Sequence, residues 1–391
     1  MLNAVRAAVW AAVACLLTSP VARADDSQPS REPHKAVPKF LAEFHELKQG
    51  YNDGANAIFA KAVREFDAAE TEAEREAVRR SAREQADAIR APAVQKAFEL
   101  VKPHAAEAAA AEPLVWLAQS GGDCDVGPAA AEMLIEHHLT RVPTLDLAYG
   151  MKHSDRNWVE PMLRAQLAAN GLSPEQRAKQ KLALATNLRS RAARGKGDSA
   201  KLEAEAIELF SELEEASPRV ELIPGITVAD VARSSLFEIR NLGIGKSAPE
   251  IEGEDLDGAL FKLSDYRGKV VLLSFWASWC GPCLDLLPHE RGLVEQYAGR
   301  PFALIGVNCD GEKETLKPWL AQNPIPWRSF WAGEKGPAGP IPRAWNVTGW
   351  PTVYLIDHAG IVRAKKHADA AELDAMIEAS VAAAERALKA R

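Results

Sequence analysis

The chain has 391 residues, which at about 100 to 200 residues per domain predicts two or three domains with room for a real hydrophobic core. With 47% hydrophobic and 26% charged residues, 25 Gly and 24 Pro, the composition is that of a globular protein and excludes a collagen-like or largely disordered chain. Lys and Arg total 47 against 54 Asp and Glu, a formal net charge of −7. Because there is no basic surplus, the sequence predicts no nucleic-acid partner.

The first 24 residues have the pattern of a cleavable export signal. Arg6 precedes an apolar run over residues 7–17, and Ala22-Arg23-Ala24 offers a small-residue cleavage site. The run is too short to span a bilayer, which takes about 20 residues. We therefore predict an extracytoplasmic protein of the periplasm or cell envelope, with a flexible polar leader over residues 25–38 and no stable membrane span after cleavage.

Residues 39–240 are predicted to form an all-α domain. Apolar residues from Phe40 to Phe66 recur every three or four positions, as on one face of a long helix, and the Ala-, Glu- and Arg-rich stretch 71–101 is expected to pair with it as a helical hairpin. Helical patterning then continues to Asn241, interrupted by Gly and Pro. We find no fixed repeat period, so the prediction is an irregular, solenoid-like helical array.

Two helix starts in this region carry capping signals. Ser173-Pro174-Glu175 offers an N-cap, a Pro at the first helical position and an acid in the first turn. Thr227 with Asp230 has the capping-box spacing. Both predict that a helix begins at the residue that follows the cap.

The pattern changes to strands and turns near residue 241, where we place the start of a second domain over residues 241–391. Lys269–Trp276 is almost continuously apolar, as expected of a strand buried on both faces. A helix from Cys283 to Tyr297 and a second buried strand over Phe302–Asn308 complete a β-α-β unit. The remaining predicted elements are a helix (Lys313–Gln322), an extended segment (Trp327–Trp331), strands (Thr352–Ile356 and Ile361–Lys365) and a terminal helix (Ala370–Leu388).

A C-x-x-C motif, Cys280-Gly281-Pro282-Cys283, lies at the predicted strand-to-helix turn. At a helix N-terminus, unpaired N–H groups and the positive end of the helix dipole stabilise a thiolate, so Cys280 is predicted to be the nucleophile. Cys283, one turn further, is placed to resolve the mixed disulfide that Cys280 forms. Gly281 and Pro282 form the active-site turn, which Pro282 stiffens.

Other roles for these cysteines are less well supported by the sequence. A four-cysteine zinc site would need a second C-x-x-C, and haem attachment would need His where Leu284 stands. A structural disulfide is the remaining alternative. We predict no metal and no organic cofactor. Cys309 is interpreted as an inert packing residue and Cys124 as a bystander, although a third thiol near the site is the alternative for Cys309.

The segment Gly349-Trp350-Pro351-Thr352 precedes a predicted strand and is the second candidate site element. If the bond before Pro351 is cis, this turn can face the C-x-x-C motif and offer backbone groups to an extended substrate chain. Trp279, Trp350, Pro351 and Thr352 are therefore predicted to form the substrate-docking surface.

These residues resemble the thioredoxin superfamily, most closely its extracytoplasmic TlpA/ResA-like branch. The matching segments, in family order, are Gly245–Ile251, Phe261–Lys269, SFWASWCGPC, and GWPTVYLID followed by His358-Ala359-Gly360. The resemblance covers about residues 243–388. It implies an α/β fold with a thioredoxin-like mixed sheet flanked by helices, and thiol–disulfide oxidoreductase activity, often reducing. It also implies protein disulfide substrates and an upstream thiol electron donor.

The chain departs from the family pattern where a proton would be transferred. Ser274 and Gly306 stand where thioredoxins have a buried Asp and a Lys, and Leu286 replaces the Glu that ResA-like proteins often carry three residues after the second cysteine. The sequence therefore identifies no general base.

Two alternative functions remain at this point. A peroxiredoxin-like thiol peroxidase shares the segment 245–269, but Ala277 occupies the position of the Thr or Ser that usually precedes its reactive cysteine. In the other alternative the protein is a binding protein: the helical domain binds the partners, and the thioredoxin-like domain serves only for docking.

Overall fold

The computed structural model of the protein describes residues 37–69, 71–122, 125–217, 219–366 and 370–390. The predicted export signal, nearly all of the predicted leader and Cys124 lie outside these residues. The chain divides into two compact units, one that ends at Arg233 and one that begins at Ser234. Each unit is described by itself.

The first unit is helical, as predicted. Its helices are α1 (Lys39–Ala68), α2 (Glu72–Val101), α3 (Ala111–Ser120), α4 (Val126–His137), α5 (Val142–Gly150), α6 (Val159–Ala168), α7 (Pro174–Ala193) and α8 (Ser199–Ala216). A short antiparallel hairpin of β1 (Glu221–Ile223) and β2 (Ile226–Thr227) then precedes α9 (Val228–Asn241), a helix that begins in the first unit and ends in the second. This hairpin interrupts a region that the sequence predicted to be helical throughout.

Local sequence signals account for several of these helices. The periodic aromatic residues of α1 are buried, among them Phe40, Phe44 and Tyr51. Ser173 Oγ accepts a hydrogen bond from the Gln176 N–H at 3.1 Å, and Thr227 Oγ1 accepts one from the Asp230 N–H at 3.1 Å. Each such cap stabilises a helix start by about 1 kcal/mol. Both predicted helix starts are confirmed.

No helix in the described part of the chain combines the length and the apolar character that crossing a bilayer requires.

The second unit is built on a five-stranded mixed sheet. An outer hairpin, β3 (Glu252–Glu254) with β4 (Leu260–Lys262), precedes β5 (Val270–Trp276), β6 (Phe302–Asn308), β7 (Ser329–Trp331), β8 (Thr352–Ile356) and β9 (Val362–Lys366). The helices are α10 (Gly281–Gln296), α11 (Lys313–Gln322), α12 (Pro340–Ala344) and α13 (Ala370–Lys389). The strand order is β7-β6-β5-β8-β9, with β5 parallel to β6 and antiparallel to β8. The predicted fold class is confirmed.

Strand β5 is buried along its whole length because both faces of the sheet are covered. Val270 and Leu272 pack in the cluster that includes residues of α10 and α13. The alternate residues, Leu273 and Phe275, pack on the opposite face together with Leu316 of α11. This alternation explains why the strand reads as a continuous apolar run.

The sheet also fixes where the chemistry can occur. Trp276 and Asn308, the last residues of β5 and β6, are register partners. The loops that leave these parallel strands therefore emerge side by side at one edge of the sheet, which is where α/β sheets hold their functional groups. One of these loops leads into the C-x-x-C motif.

Candidate active site

Cys280 and Cys283 form a disulfide at the start of α10. Cys280 is the N-cap residue, and its Sγ accepts a hydrogen bond from the backbone N–H of Cys283 at 3.3 Å. The side chains are nearly covered, with 6% and 2% of their surface exposed. A donor aimed at the Cys280 sulfur, added to the helix dipole, is the arrangement that stabilises a thiolate once the disulfide is reduced.

The Gly349–Thr352 turn lies beside the disulfide loop. The Trp350–Pro351 peptide bond is cis, and Thr352 Oγ1 donates a hydrogen bond to the Gly349 carbonyl at 2.7 Å. The indole rings of Trp279 and Trp350 meet edge to face with centroids 6.2 Å apart. Trp279 is 58% exposed, an unusual value for so large an apolar side chain. The two site elements predicted from the sequence are thus adjacent and share an aromatic contact.

Asp310, which the sequence interpretation did not single out, ties the disulfide loop to the end of β6. Its carboxylate accepts hydrogen bonds from the Ser278 N–H at 2.9 Å and from the Ser278 hydroxyl at 2.6 Å. The Asn308 side-chain amide donates a third at 2.7 Å. Asp310 is only 6% exposed, so these bonds are shielded from water. A signal was available, since an Asp at the carboxyl end of a strand parallel to the motif strand falls at the functional edge of the sheet.

Replacing Asp310 with Ala is expected to destabilise the protein by about 3 kcal/mol, because it removes buried hydrogen bonds to a charged group and leaves Ser278 and Asn308 without an acceptor. Urea unfolding followed by tryptophan fluorescence measures the change. Asp285→Ala, at an exposed position on α10, is the matched control and should change stability by no more than about 0.5 kcal/mol. Equal effects of the two substitutions would show that Asp310 does not hold the loop.

Cys309 is a fully buried thiol in the apolar cluster that also contains Cys280 and Cys283. Burial is the main cause that raises its pKa to about 12; the nearby Trp350 indole opposes the shift, and the negative charge of Asp310 adds to it. A thiol with such a pKa is protonated at neutral pH. The geometry supports a packing role.

Alkylation of the reduced, folded protein is therefore expected to modify Cys280 quickly and Cys309 hardly at all. At pH 8 a thiol with a pKa of about 12 has about 10³-fold less thiolate than an ordinary cysteine, and burial lowers access further. Peptide mass spectrometry after timed iodoacetamide pulses distinguishes the cysteines. Labelling of Cys309 in the native protein at the rate of a free cysteine would overturn this assignment.

The two positions that depart from thioredoxins are both accounted for by packing. A Cβ on Gly306 would lie 2.2 Å from Ser329 Oγ and 2.8 Å from Trp276 Nε1, so no side chain fits there. Ser274 is 1% exposed and hydrogen-bonds to Glu290 of α10, which is itself 2% exposed. Burial raises the pKa of Glu290 to about 7, although the Ser274 bond opposes the shift. A buried carboxyl group therefore exists near the site, but on the helix rather than on the strand.

Glu290 was missed from the sequence, although a signal exists. It follows Cys283 by seven residues, which on an α-helix returns to the same face to within about 20°. A Glu on the buried face of a helix is rare and marks a group with a perturbed pKa.

Within the described ranges no group of three or more His, Cys, Asp or Glu side chains is arranged to hold a metal ion.

Comparison with known proteins places the second unit in a family. The sequence profile of the AhpC/TSA family matches residues 244–365. Thioredoxin-like protein YneN of Bacillus subtilis is 32% identical over 131 residues, which are 32% of this chain and 74% of YneN. The chain belongs to the thioredoxin-like family of thiol–disulfide oxidoreductases.

Other matches carry related names. Thiol-disulfide oxidoreductase ResA of Bacillus thuringiensis subsp. konkukian is 34% identical over 119 residues, which are 30% of this chain and 66% of ResA. A crystal structure of the thioredoxin domain of a Bacteroides vulgatus thiol-disulfide oxidoreductase matches 36% of this chain and 99% of that domain, with 27% identity and a TM-score of 0.33. The AhpC/TSA family profile matches this chain only from residue 244 onward, and the helical unit lies before that residue.

Proposed function

We propose that this protein exchanges the Cys280–Cys283 dithiol and disulfide with disulfides of exported proteins, acting as a reductant. One observation carries the proposal: a cysteine pair at the N-terminus of a helix, with an N–H donor at the Cys280 sulfur and the exposed Trp279 beside it. Chemistry needs a stabilised thiolate, and recognition of a protein substrate needs an accessible apolar surface next to it.

The reaction is thiol–disulfide exchange in two steps. The Cys280 thiolate attacks a substrate disulfide, forms a mixed disulfide and expels one substrate thiolate. Cys283 then loses its proton and attacks the Cys280 sulfur, which releases the second substrate thiolate and closes the 280–283 disulfide. Two electrons pass to the substrate, and an upstream dithiol protein must return them. No cofactor or metal takes part in these steps.

Substrate docking is assigned to the surface around the disulfide. Trp279 and the edge of Trp350 offer apolar contact area. The turn at Pro351 and Thr352 lies next to them and would present backbone groups to an extended substrate chain.

Export and the reducing direction rest on sequence features. Residues 1–24 have the pattern of a cleavable signal, and thiol pairs operate as disulfides outside the cytoplasm. The C-G-P-C sequence resembles that of reducing thioredoxins. The peroxidase alternative is not favoured, because its activating Thr or Ser is replaced by Ala277, which is fully buried.

The test is the reduction potential of the Cys280–Cys283 pair in the purified protein. The protein is equilibrated in graded glutathione buffers, and free thiols are counted by mass tagging and assigned by peptide. A value near ~−270 mV supports a reductant, and one near ~−120 mV indicates an oxidant of exported proteins. If no 280–283 disulfide forms at any redox potential of the buffer, the proposal of exchange activity is wrong. A binding role led by the helical domain then takes its place.

A further inference from the structure

Glu290 is a buried carboxyl group on the active-site helix that the exchange reaction does not use. It lies on the same face of α10 as Cys283, two helical turns further on, so that about 10 Å along the helix axis separates the two positions. Both side chains point towards the sheet and are at most 2% exposed. Both groups are therefore shielded from bulk water.

The surroundings of Glu290 do little to neutralise a charge. The Ser274 hydroxyl of β5 is its polar neighbour, and Oε1 of Glu290 has no hydrogen-bond partner among the described residues. On the face of the sheet that α10 and α13 cover, β5 and β6 contribute apolar side chains to the cluster, for example Leu272 and Leu304.

Charged groups on the flanking helices are engaged elsewhere. On α10, His289 lies 3.0 Å from Asp374 of α13, and Arg291 donates to the Pro324 carbonyl. Glu378 of α13 is bonded to Arg300 and to the Tyr297 hydroxyl. Burial is the main cause of the raised pKa of Glu290, which no neighbouring charge offsets.

A charge on Glu290 and a thiolate at the cysteine pair must therefore repel one another. The Cys280 sulfur lies 3.3 Å from the backbone nitrogen of Cys283, so it too is on the order of 10 Å from Glu290 along the helix axis. Two like charges at that separation, at the effective dielectric constant of about 20 that suits protein interiors, change each other's proton affinity by on the order of tenfold. The disulfide carries no charge, so this repulsion exists only in the reduced state.

We propose that Glu290 couples proton uptake to reduction of the Cys280–Cys283 disulfide, which makes the reducing power of the pair depend on pH. The inference rests on the proposed function. Reduction by an external dithiol delivers two electrons and breaks the S–S bond, leaving Cys280 as a thiolate and Cys283 as a thiol that has taken up one proton. Between the pKa of Glu290 in the oxidised protein and the higher value that the thiolate imposes in the reduced protein, Glu290 takes up a second proton on reduction, and at higher pH it stays ionised and repels the thiolate. Glu290 acts through the cysteines as a positioning residue and does not touch the substrate.

The test compares the wild-type protein with Glu290→Gln in glutathione buffers from pH 5 to pH 9. Gln mimics the protonated carboxyl group, so both proteins should have the same equilibrium constant for reduction at pH 5. At pH 8 and above, the variant should favour the reduced state by about tenfold, which for two electrons is about 30 mV. The apparent pKa of Cys280, followed by thiolate absorbance, should be lower in the variant than in the wild type.

Asp285→Asn is the matched control, since it removes an exposed carboxylate that is nearer to Cys283 in sequence. Its effect is screened by solvent and should be the same at every pH. A Glu290→Gln offset that is constant with pH, or no offset, overturns the inference while leaving the exchange activity intact. A wild-type protein that forms no 280–283 disulfide would instead refute the proposed function.

Infrared difference spectroscopy of the wild type provides a test that needs no variant. Reduction at pH 7 should produce the C=O band of a protonated carboxylic acid, and the band should be absent from the difference spectrum at pH 5, where the group is protonated in both states. No such band at pH 7 would overturn the inference even if Glu290→Gln failed to fold.

Discussion

Replacing Cys280 with Ser is expected to reduce the rate of disulfide exchange by at least about 10³-fold. A hydroxyl group is not ionised at neutral pH and does not attack a disulfide, and Cys283, at 2% exposed, cannot reach a substrate in its place. Reduction of a protein disulfide by the purified protein, with a chemical dithiol as electron source, measures the loss. Cys124→Ser, the same change at a cysteine that the sequence interpretation treats as a bystander, should retain full activity.

Replacing Cys283 with Ser should have a different and diagnostic outcome. Cys280 can still attack, but nothing resolves the product, so a covalent complex of one protein and one substrate chain accumulates. Non-reducing gel electrophoresis and mass spectrometry detect it, and a reductant should dissolve it. If the two substitutions gave the same products, the assignment of Cys280 as nucleophile and Cys283 as resolving thiol would be wrong.

The part of the fold that the sequence predicted best is the part in which local pattern and tertiary environment agree. Lys269–Trp276 reads as a buried strand because every residue of β5 faces one covered side of the sheet or the other. Helix α10 begins at Gly281 rather than at Cys283, because Cys280 itself serves as the N-cap. The β1–β2 hairpin was missed because two strands of three and two residues have no measurable periodicity.

The candidate site was predictable only where its residues belong to contiguous motifs. The C-x-x-C motif and the Gly349–Thr352 turn could be recognised along the chain, and the structure shows them adjacent. Asp310 and Glu290 could not be assigned in this way, because their partners, Ser278 and Ser274, are distant in sequence and meet them only through strand pairing and helix packing. Ser274, Gly306 and Leu286 offer no group that transfers a proton. The candidate for that role is therefore Glu290 of α10.

That buried carboxyl group should also leave a signature in the stability of the oxidised protein. In the unfolded chain a Glu has a pKa near 4.5, whereas burial raises the pKa of Glu290 to about 7. Between these values the unfolded state releases a proton that the folded state retains, so stability falls as pH rises through this window. Below pH 4.5 Glu290 is protonated in both states and does not lower the free energy of unfolding. Above pH 7 the folded protein carries a buried charge, which lowers it.

Glu290→Gln removes this titration and should gain stability relative to the wild type, by on the order of 3 kcal/mol between pH 4.5 and pH 8, since each unit of pKa shift corresponds to about 1.4 kcal/mol. Urea unfolding of both oxidised proteins at a series of pH values measures the difference. Glu295→Gln, at an exposed position on the same helix, should show no such trend. A stability difference that does not change with pH would mean that Glu290 remains ionised, or remains protonated, over the whole range. Coupling to the cysteine pair requires that it titrate within this range, so such a result would argue against that coupling as well.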